Sequence, residues 1–203
     1  MRTLCAIVSL SLLAACSQPT QPSPSTSAAV PAAPAAPAVA TAAASAADPS
    51  VPLAVGSVAP DFSAPAWLAG KPFDFALADA LKAGPVVVYF FPAAFTPGCN
   101  IEARRFSEAI DQFKAKGATV IGVTAGNTDQ LQAFSSDNET CSGKFAVAAD
   151  PGAAIAARYG AVLSVKPEWS SRTSFAIGRD GRILKAFSDG KPDRHVAEML
   201  AAL

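Results

Sequence analysis

The run Val86-Val87-Val88-Tyr89-Phe90-Phe91 is unbroken by any polar residue and is rich in β-branched and aromatic side chains, the pattern of a strand covered on both faces. Pro92 ends it. Beyond, the period changes: Phe106, Ile110 and Phe113, flanked by Ala103 and Ala109, recur at helical spacing, while Glu108, Asp111 and Lys114 take the opposite face. Thr96 falls at the N-cap, Pro97 at the first helical position and Gly117 at the stop. A threonine there would accept a hydrogen bond from the amide of the third residue, Cys99. The later chain predicts a strand at 119–124, a helix at 129–136, a strand at 144–148, a short helix near 153–159, strands near 173–178 and 182–187, and a last helix from about 192. Asp180-Gly181 is a hairpin signal between the late strands. Strands alternating with helices and closing in a hairpin predict an α/β fold, a mixed central sheet between helical layers.

The first quarter of the chain has neither period. Arg2 precedes an apolar run from Leu4 to Ala15, too short to span a bilayer but suited to a signal peptide. Residues 17–52 are almost entirely Ala, Pro, Ser and Thr, a composition that cannot form a core. As a flexible linker of about 36 residues it would span roughly 35 Å, and more where proline stiffens it. The expected organisation is therefore a signal peptide at 1–15, a linker at 16–52 and one domain at 53–203. Leu13-Ala14-Ala15-Cys16 resembles a bacterial lipobox, which would make Cys16 the lipidated first residue of the mature chain, firmly anchored by several acyl chains. Ser17 would permit sorting to an outer membrane. An ordinary cleaved signal or a transmembrane anchor are the alternatives.

Charge narrows the partners. Sixteen basic and sixteen acidic residues cancel, and no basic stripe marks a nucleic-acid surface; Arg104-Arg105 is too small a cluster to change this. The single histidine, His195, falls in the terminal helix, where it reads as a surface polar residue. No Cys/His cluster has metal-ligand spacing, so neither metal nor organic cofactor is expected. Trp67 and Trp169 read as packing residues, with Trp169 a candidate to border the Arg172 site.

Of the four cysteines, Cys5 would leave with the signal and Cys16 carry lipid, so two remain in the domain. Cys99 falls in the first turn of the helix after the apolar strand. The helix dipole and unpaired amides of a first turn favour thiolate over thiol. Moving a thiol from a pKa of about 8.5 to about 6 raises its ionised fraction at pH 7 roughly thirtyfold, far short of the millionfold that enzymes typically need. Other groups must then hold and polarise what the thiolate attacks, unless Cys99 is simply a buried core residue.

Pro92, Thr96 and Cys99 form a Pro-x-x-x-Thr-x-x-Cys motif that resembles the active-site signature of the peroxiredoxins, thiol peroxidases with a thioredoxin-like fold. Thr-Pro-Gly-Cys followed by Glu102 is similar to the bacterioferritin-comigratory, or Q-type, branch. The resemblance runs from about Val55 onward, through Gly56-Ser57-Val58-Ala59-Pro60-Asp61-Phe62, Asp150-Pro151-Gly152, Tyr159-Gly160 and Arg172-Thr173-Ser174-Phe175-Ala176-Ile177. It implies that Cys99 is the peroxidatic nucleophile, oxidised to a sulfenic acid, and that the Thr96 hydroxyl orients thiolate and peroxide. Arg172 would stabilise the thiolate and the departing oxygen, and Pro92 would shield the site. A solvated Arg172 and a merely strand-ending Pro92 are the plain alternatives, and Glu102 is expected only to favour the helix start.

The resemblance also implies a second thiol. Many Q-type relatives carry it five residues after the first, where this chain has Arg104; others carry it in the next helix region, where this chain has Cys141. Disulfide geometry needs Cα atoms within about 7 Å, and the expectation is that reduced Cys99 and Cys141 lie farther apart and that one turn unwinds to join them. A one-cysteine enzyme with Cys141 inert is the alternative. The implied partners are a peroxide and a thioredoxin-like or other periplasmic thiol reductant, with the chain lipid-anchored on the periplasmic side of the envelope. Two other functions remain open: a thiol-disulfide oxidoreductase, disfavoured because Glu102 stands where a Cys-x-x-Cys partner would, and a non-catalytic envelope domain.

Overall fold

A computed structural model describes residues 48–203. The expected signal peptide, Cys5, Cys16 and most of the expected linker lie outside the described residues. From Asp48 the chain already runs along the domain: the Pro49 carbonyl accepts from Val162 N (2.9 Å), and Leu53 N donates to the Tyr159 carbonyl (3.1 Å).

The apolar run forms β3 (Val86–Phe90), every residue of it buried. To its flanks are β4 (Thr119–Thr124), parallel, and β8 (Thr173–Ile177), antiparallel. β5 (Ala146–Ala149) continues the parallel side. An N-terminal hairpin, β1 (Ser63–Leu68) with β2 (Lys71–Ala76), adds antiparallel to β5, and β9 (Ile183–Ser188) closes the far edge, giving the order β2-β1-β5-β4-β3-β8-β9.

Alternation along β3 splits the core in two. Val86, Val88 and Phe90 face α1 (Leu77–Ala83) and α4 (Ala154–Tyr159), with Leu77, Ile155 and Tyr159 in the same cluster. Val87, Tyr89 and Phe91 face the other layer: α2 (Pro97–Ala115), α3 (Leu131–Ser136) and α5 (His195–Ala202). The mixed sheet between helical layers is thus present. Tyr89 stacks on Phe106 of α2 with centroids 4.4 Å apart, which fixes that helix against β3.

The strand at 119–124 falls as expected, and Gly117, at φ +68°, ends α2. The hairpin turn at Asp180-Gly181 is closed by Gly178 N to the Arg182 carbonyl (2.9 Å). The strand placed at 144–148 begins only at Ala146, because Lys144 N is taken by the Cys141 carbonyl. The last helix starts at His195, since Asp189 Oδ1 turns the chain by accepting from Lys191 N. Sequence periodicity missed β1, β2, α1 and the small ribbon β6 (Val162–Leu163) with β7 (Lys166–Ser170). β1 carries Pro65, which normally argues against an interior strand. Its ladder to β5 involves only Ala66 and Trp67 and leaves the proline out.

Candidate active site

The pairing of β3 with β8 builds the site. Phe90 is opposite Thr173, so the next residue outward on each strand, Phe91 and Arg172, brings the loop into α2 beside the β7–β8 junction. In that loop Phe95 has φ +57°, Ala94 N donates to the Gly126 carbonyl and Asn127 Nδ2 to the Ala94 carbonyl. Pro92 ends the strand, and its carbonyl accepts from Thr124 Oγ1 (3.1 Å).

Thr96 takes the N-cap position with extended backbone (φ −95°, ψ 148°), and Pro97 opens the helix. The cap hydrogen bond expected from sequence is not made: Thr96 Oγ1 donates instead to the Ala93 carbonyl (3.1 Å). The turned loop supplies that nearer acceptor, and it fixes the hydroxyl's proton on the protein, leaving the oxygen's lone pairs to accept from elsewhere.

Cys99 is buried in the first turn of α2, 1% exposed. Arg172 Nη2 donates to its sulfur at 3.5 Å. Far from being a solvated surface residue, Arg172 leaves 8% of its side chain exposed and bonds in three directions: to Cys99 Sγ, through Nη1 to Glu102 Oε2, and through Nε to the Gly190 carbonyl (3.1 Å). Gly98 makes room for it, since a Cβ there would lie 3.0 Å from Nη2. Burial acts to lower the Arg172 pKa, but Glu102 and Cys99 outweigh it and hold the guanidinium above its usual value, so its charge is permanent.

Glu102 was expected only to favour the helix start; it is instead fully buried and holds Arg172. Burial pushes its carboxyl up to about 8, against the opposing pull of Arg172. His195, expected on the surface, is fully buried, bonded to Ser174 Oγ (2.8 Å) and the Asp189 carbonyl (3.0 Å). The signal that could have found both is positional. Glu102 stands in the apolar stripe of α2 with Cys99, Ala103 and Phe106, and His195 in that of α5 with Met199. A polar residue in an apolar stripe must be partnered.

Cys141 is a free, fully buried thiol in the turn after α3, and Cys99 is free as well. Burial pushes the Cys141 thiol well above its ordinary range, with a hydrogen bond from Thr140 opposing and Asp137 adding to the rise. Its turn is tied down by Thr140 Oγ1 to the Phe134 carbonyl (2.6 Å) and by the Arg104 to Glu139 ion pair from α2. Trp169 sits under Lys166, whose ammonium lies 3.3 Å from the ring centroid. Among the described residues no cluster of His, Cys, Asp and Glu could hold a metal, and no helix is long and apolar enough to cross a membrane.

Residues 55–186, which contain Pro92, Thr96, Cys99, Glu102, Cys141 and Arg172, match the AhpC/TSA family. The chain belongs to that family. It is 33% identical over 156 residues to a bcp peroxiredoxin of Helicobacter pylori, covering 74% of this chain and 98% of that one. To peroxiredoxin Q of the Sedum lineare chloroplast it is 28% identical over 123 residues, 60% of this chain and 64% of the other. It spans 55–65% of the length of such chloroplastic relatives. The crystal structure of peroxidoxin BcpB from Mycobacterium tuberculosis superposes with a TM-score of 0.64 at 27% identity, covering 73% of this chain and 94% of that one. The AhpC/TSA domain here therefore has the thioredoxin-like peroxiredoxin fold.

Proposed function

We propose that this protein is a thiol-dependent peroxidase acting on hydrogen peroxide or organic hydroperoxides, with Cys99 as nucleophile. The observation that carries it is the buried Arg172 guanidinium donating to a first-turn cysteine sulfur within the segment matched to the family. The Cys99 thiolate attacks one peroxide oxygen, a sulfur–oxygen bond forms as the O–O bond breaks, and the departing oxygen takes the electron pair and a proton to leave as water or an alcohol. Sulfur is oxidised by two electrons to sulfenic acid. Arg172 stabilises the thiolate and the charge on the leaving oxygen. Thr96, its hydroxyl oriented by Ala93, accepts from the incoming hydroperoxide, while Pro92 shields the turn.

Cys141 then attacks the sulfenic sulfur, forming a disulfide and releasing water, and a thioredoxin-like thiol reductant returns both thiols. Supporting this role, Cys141 shares the buried cluster of Cys99 and Tyr89 and lies in a turn rather than a regular element. Its burial keeps it unreactive until the turn opens. The lipobox-like sequence ending in Cys16 supports a lipid-anchored protein on the periplasmic side of a bacterial envelope, at an outer membrane given Ser17.

One equivalent of hydrogen peroxide added to the fully reduced chain, with mass spectrometry of the product, tests the reading. A rapid Cys99–Cys141 disulfide is expected in the parent and a trapped Cys99 sulfenic acid in Cys141→Ser. Oxidation of Cys99 no faster than that of a free thiol would refute it.

A further inference from the structure

Behind Arg172 a carboxyl and an imidazole are buried against each other. Glu102 Oε2 accepts from Arg172, whereas Oε1 has no hydrogen-bond partner and lies 3.5 Å from His195 Nδ1, with both side chains fully buried. The rest of the ring's surroundings fixes its protons. Nε2 lies 3.0 Å from the Asp189 carbonyl oxygen, which can only accept, so Nε2 carries a hydrogen. In a neutral ring Nδ1 is then a lone pair to which the Ser174 hydroxyl, 2.8 Å away, donates; if Nδ1 carries a hydrogen, the same hydroxyl oxygen accepts from it. An ionised Glu102 beside a neutral ring would leave Oε1 without any donor in a dry site.

We propose that Glu102 and His195 hold one proton between Oε1 and Nδ1, and that through this proton His195 is a positioning residue for the thiol chemistry of Cys99. The inference rests on the peroxidase reading above. With the proton present, the charges of the Cys99 thiolate, Arg172 and the Glu102–His195 pair cancel, and Arg172 is free to serve the sulfur. When the proton leaves to solvent, Glu102 competes for the guanidinium and adds a negative charge beside the thiolate. By linkage the converse holds: oxidising Cys99 removes a negative charge and loosens the pair's hold on the proton.

Every neighbour of the ring can be weighed. Glu102 faces it from α2, Arg172 from the β7–β8 junction, Ser174 from β8, Asp189 from the segment after β9 and Glu198 from α5, while the Phe187 ring of β9 packs edge-on with centroids 4.9 Å apart. Burial pushes His195 below its usual range, with Arg172 acting the same way and Asp189 and Glu198 opposing. It pushes the Glu102 carboxyl up to about 8. Both directions place the proton on the carboxyl side of the pair at neutral pH.

His195 is the chain's only histidine, so labelling histidine with nitrogen-15 gives a single imidazole spectrum. The full reduced chain should show Nε2 protonated throughout and the Nδ1 resonance shifting in one step as the pair loses its proton on raising the pH. An infrared carboxylic-acid band absent from Glu102→Gln should disappear over the same range. The pH profile of Cys99 alkylation by iodoacetamide should contain that step in the parent and lose it in His195→Gln. Should His195→Gln fail to fold, Glu102→Gln, whose amide can donate to Nδ1 but cannot titrate, should lose the step too. An ionised Glu102 together with an unprotonated Nδ1 at pH 7 would overturn the proposal, as would a step that persists in a folded variant. Alkylation needs no peroxide: a chain that shows the steps yet reduces no peroxide supports the pairing and refutes the peroxidase reading.

Discussion

Replacing Arg172 with methionine keeps much of the aliphatic bulk and removes the guanidinium from three partners: Cys99 Sγ, Glu102 and the Gly190 carbonyl. Deleting one member of a buried ion pair costs about 3–5 kcal/mol when the other stays charged. Glu102 need not stay charged, and this makes the cost depend on pH. Its folded pKa, about 8, already stands above the ordinary 4.5 with Arg172 pulling it down; without Arg172 it rises further. A folded pKa raised above the unfolded one gives a contribution fully present below the unfolded value and lost as pH rises through the folded value. The variant should therefore be only mildly destabilised at pH 5 and bear most of that cost at pH 9. Its reaction with peroxide should fall about 10²–10³-fold, as when a donor to developing negative charge is removed. Urea unfolding at pH 5, 7 and 9 and stopped-flow oxidation measure the two effects. Arg172→Met with Glu102→Gln should recover stability at pH 9 but not the rate. A destabilisation equal at pH 5 and 9, or an unchanged rate, would refute the reasoning.

Thr96→Val should lower the peroxide rate at least tenfold while costing about 1 kcal/mol in urea unfolding for the lost bond to Ala93, and Thr96→Ser should restore the rate. In the folded chain Cys141 should be alkylated far more slowly than in urea, because burial holds it as a thiol; equal rates would show an open turn. Asp150, whose two carboxylate oxygens accept from Ile155 N and Ala156 N at 2.8 Å each, caps α4 away from the thiol. Asp150→Ala should lower the unfolding free energy by about 1–2 kcal/mol and leave the peroxide rate unchanged.

What could be read from the chain was local. The strand from Val86, the proline-opened helix with Cys99 in its first turn, the stop at Gly117 and the Asp180-Gly181 hairpin rest on side-chain periodicity and on backbone preferences of single residues, so they are carried by neighbours in sequence. The Pro92, Thr96, Cys99 and Arg172 motif was legible in the same way, through its resemblance to a family. The β1–β2 hairpin was not, because Ser63–Leu68 is rich in alanine and holds a proline, and only pairing with β5 makes it a strand. Nor could spacing alone show that Thr96 bonds backward to Ala93 instead of capping its helix. The largest gap concerned charge. Glu102 and His195 looked like a helix-start carboxylate and a surface ring, yet the register of β3 with β8 and the docking of α5 on α2 bury both behind Arg172. Sequence determined which residues are candidates for the chemistry. The tertiary structure alone decided their protonation and partners, because those depend on exclusion from water and on contacts between residues far apart in the chain.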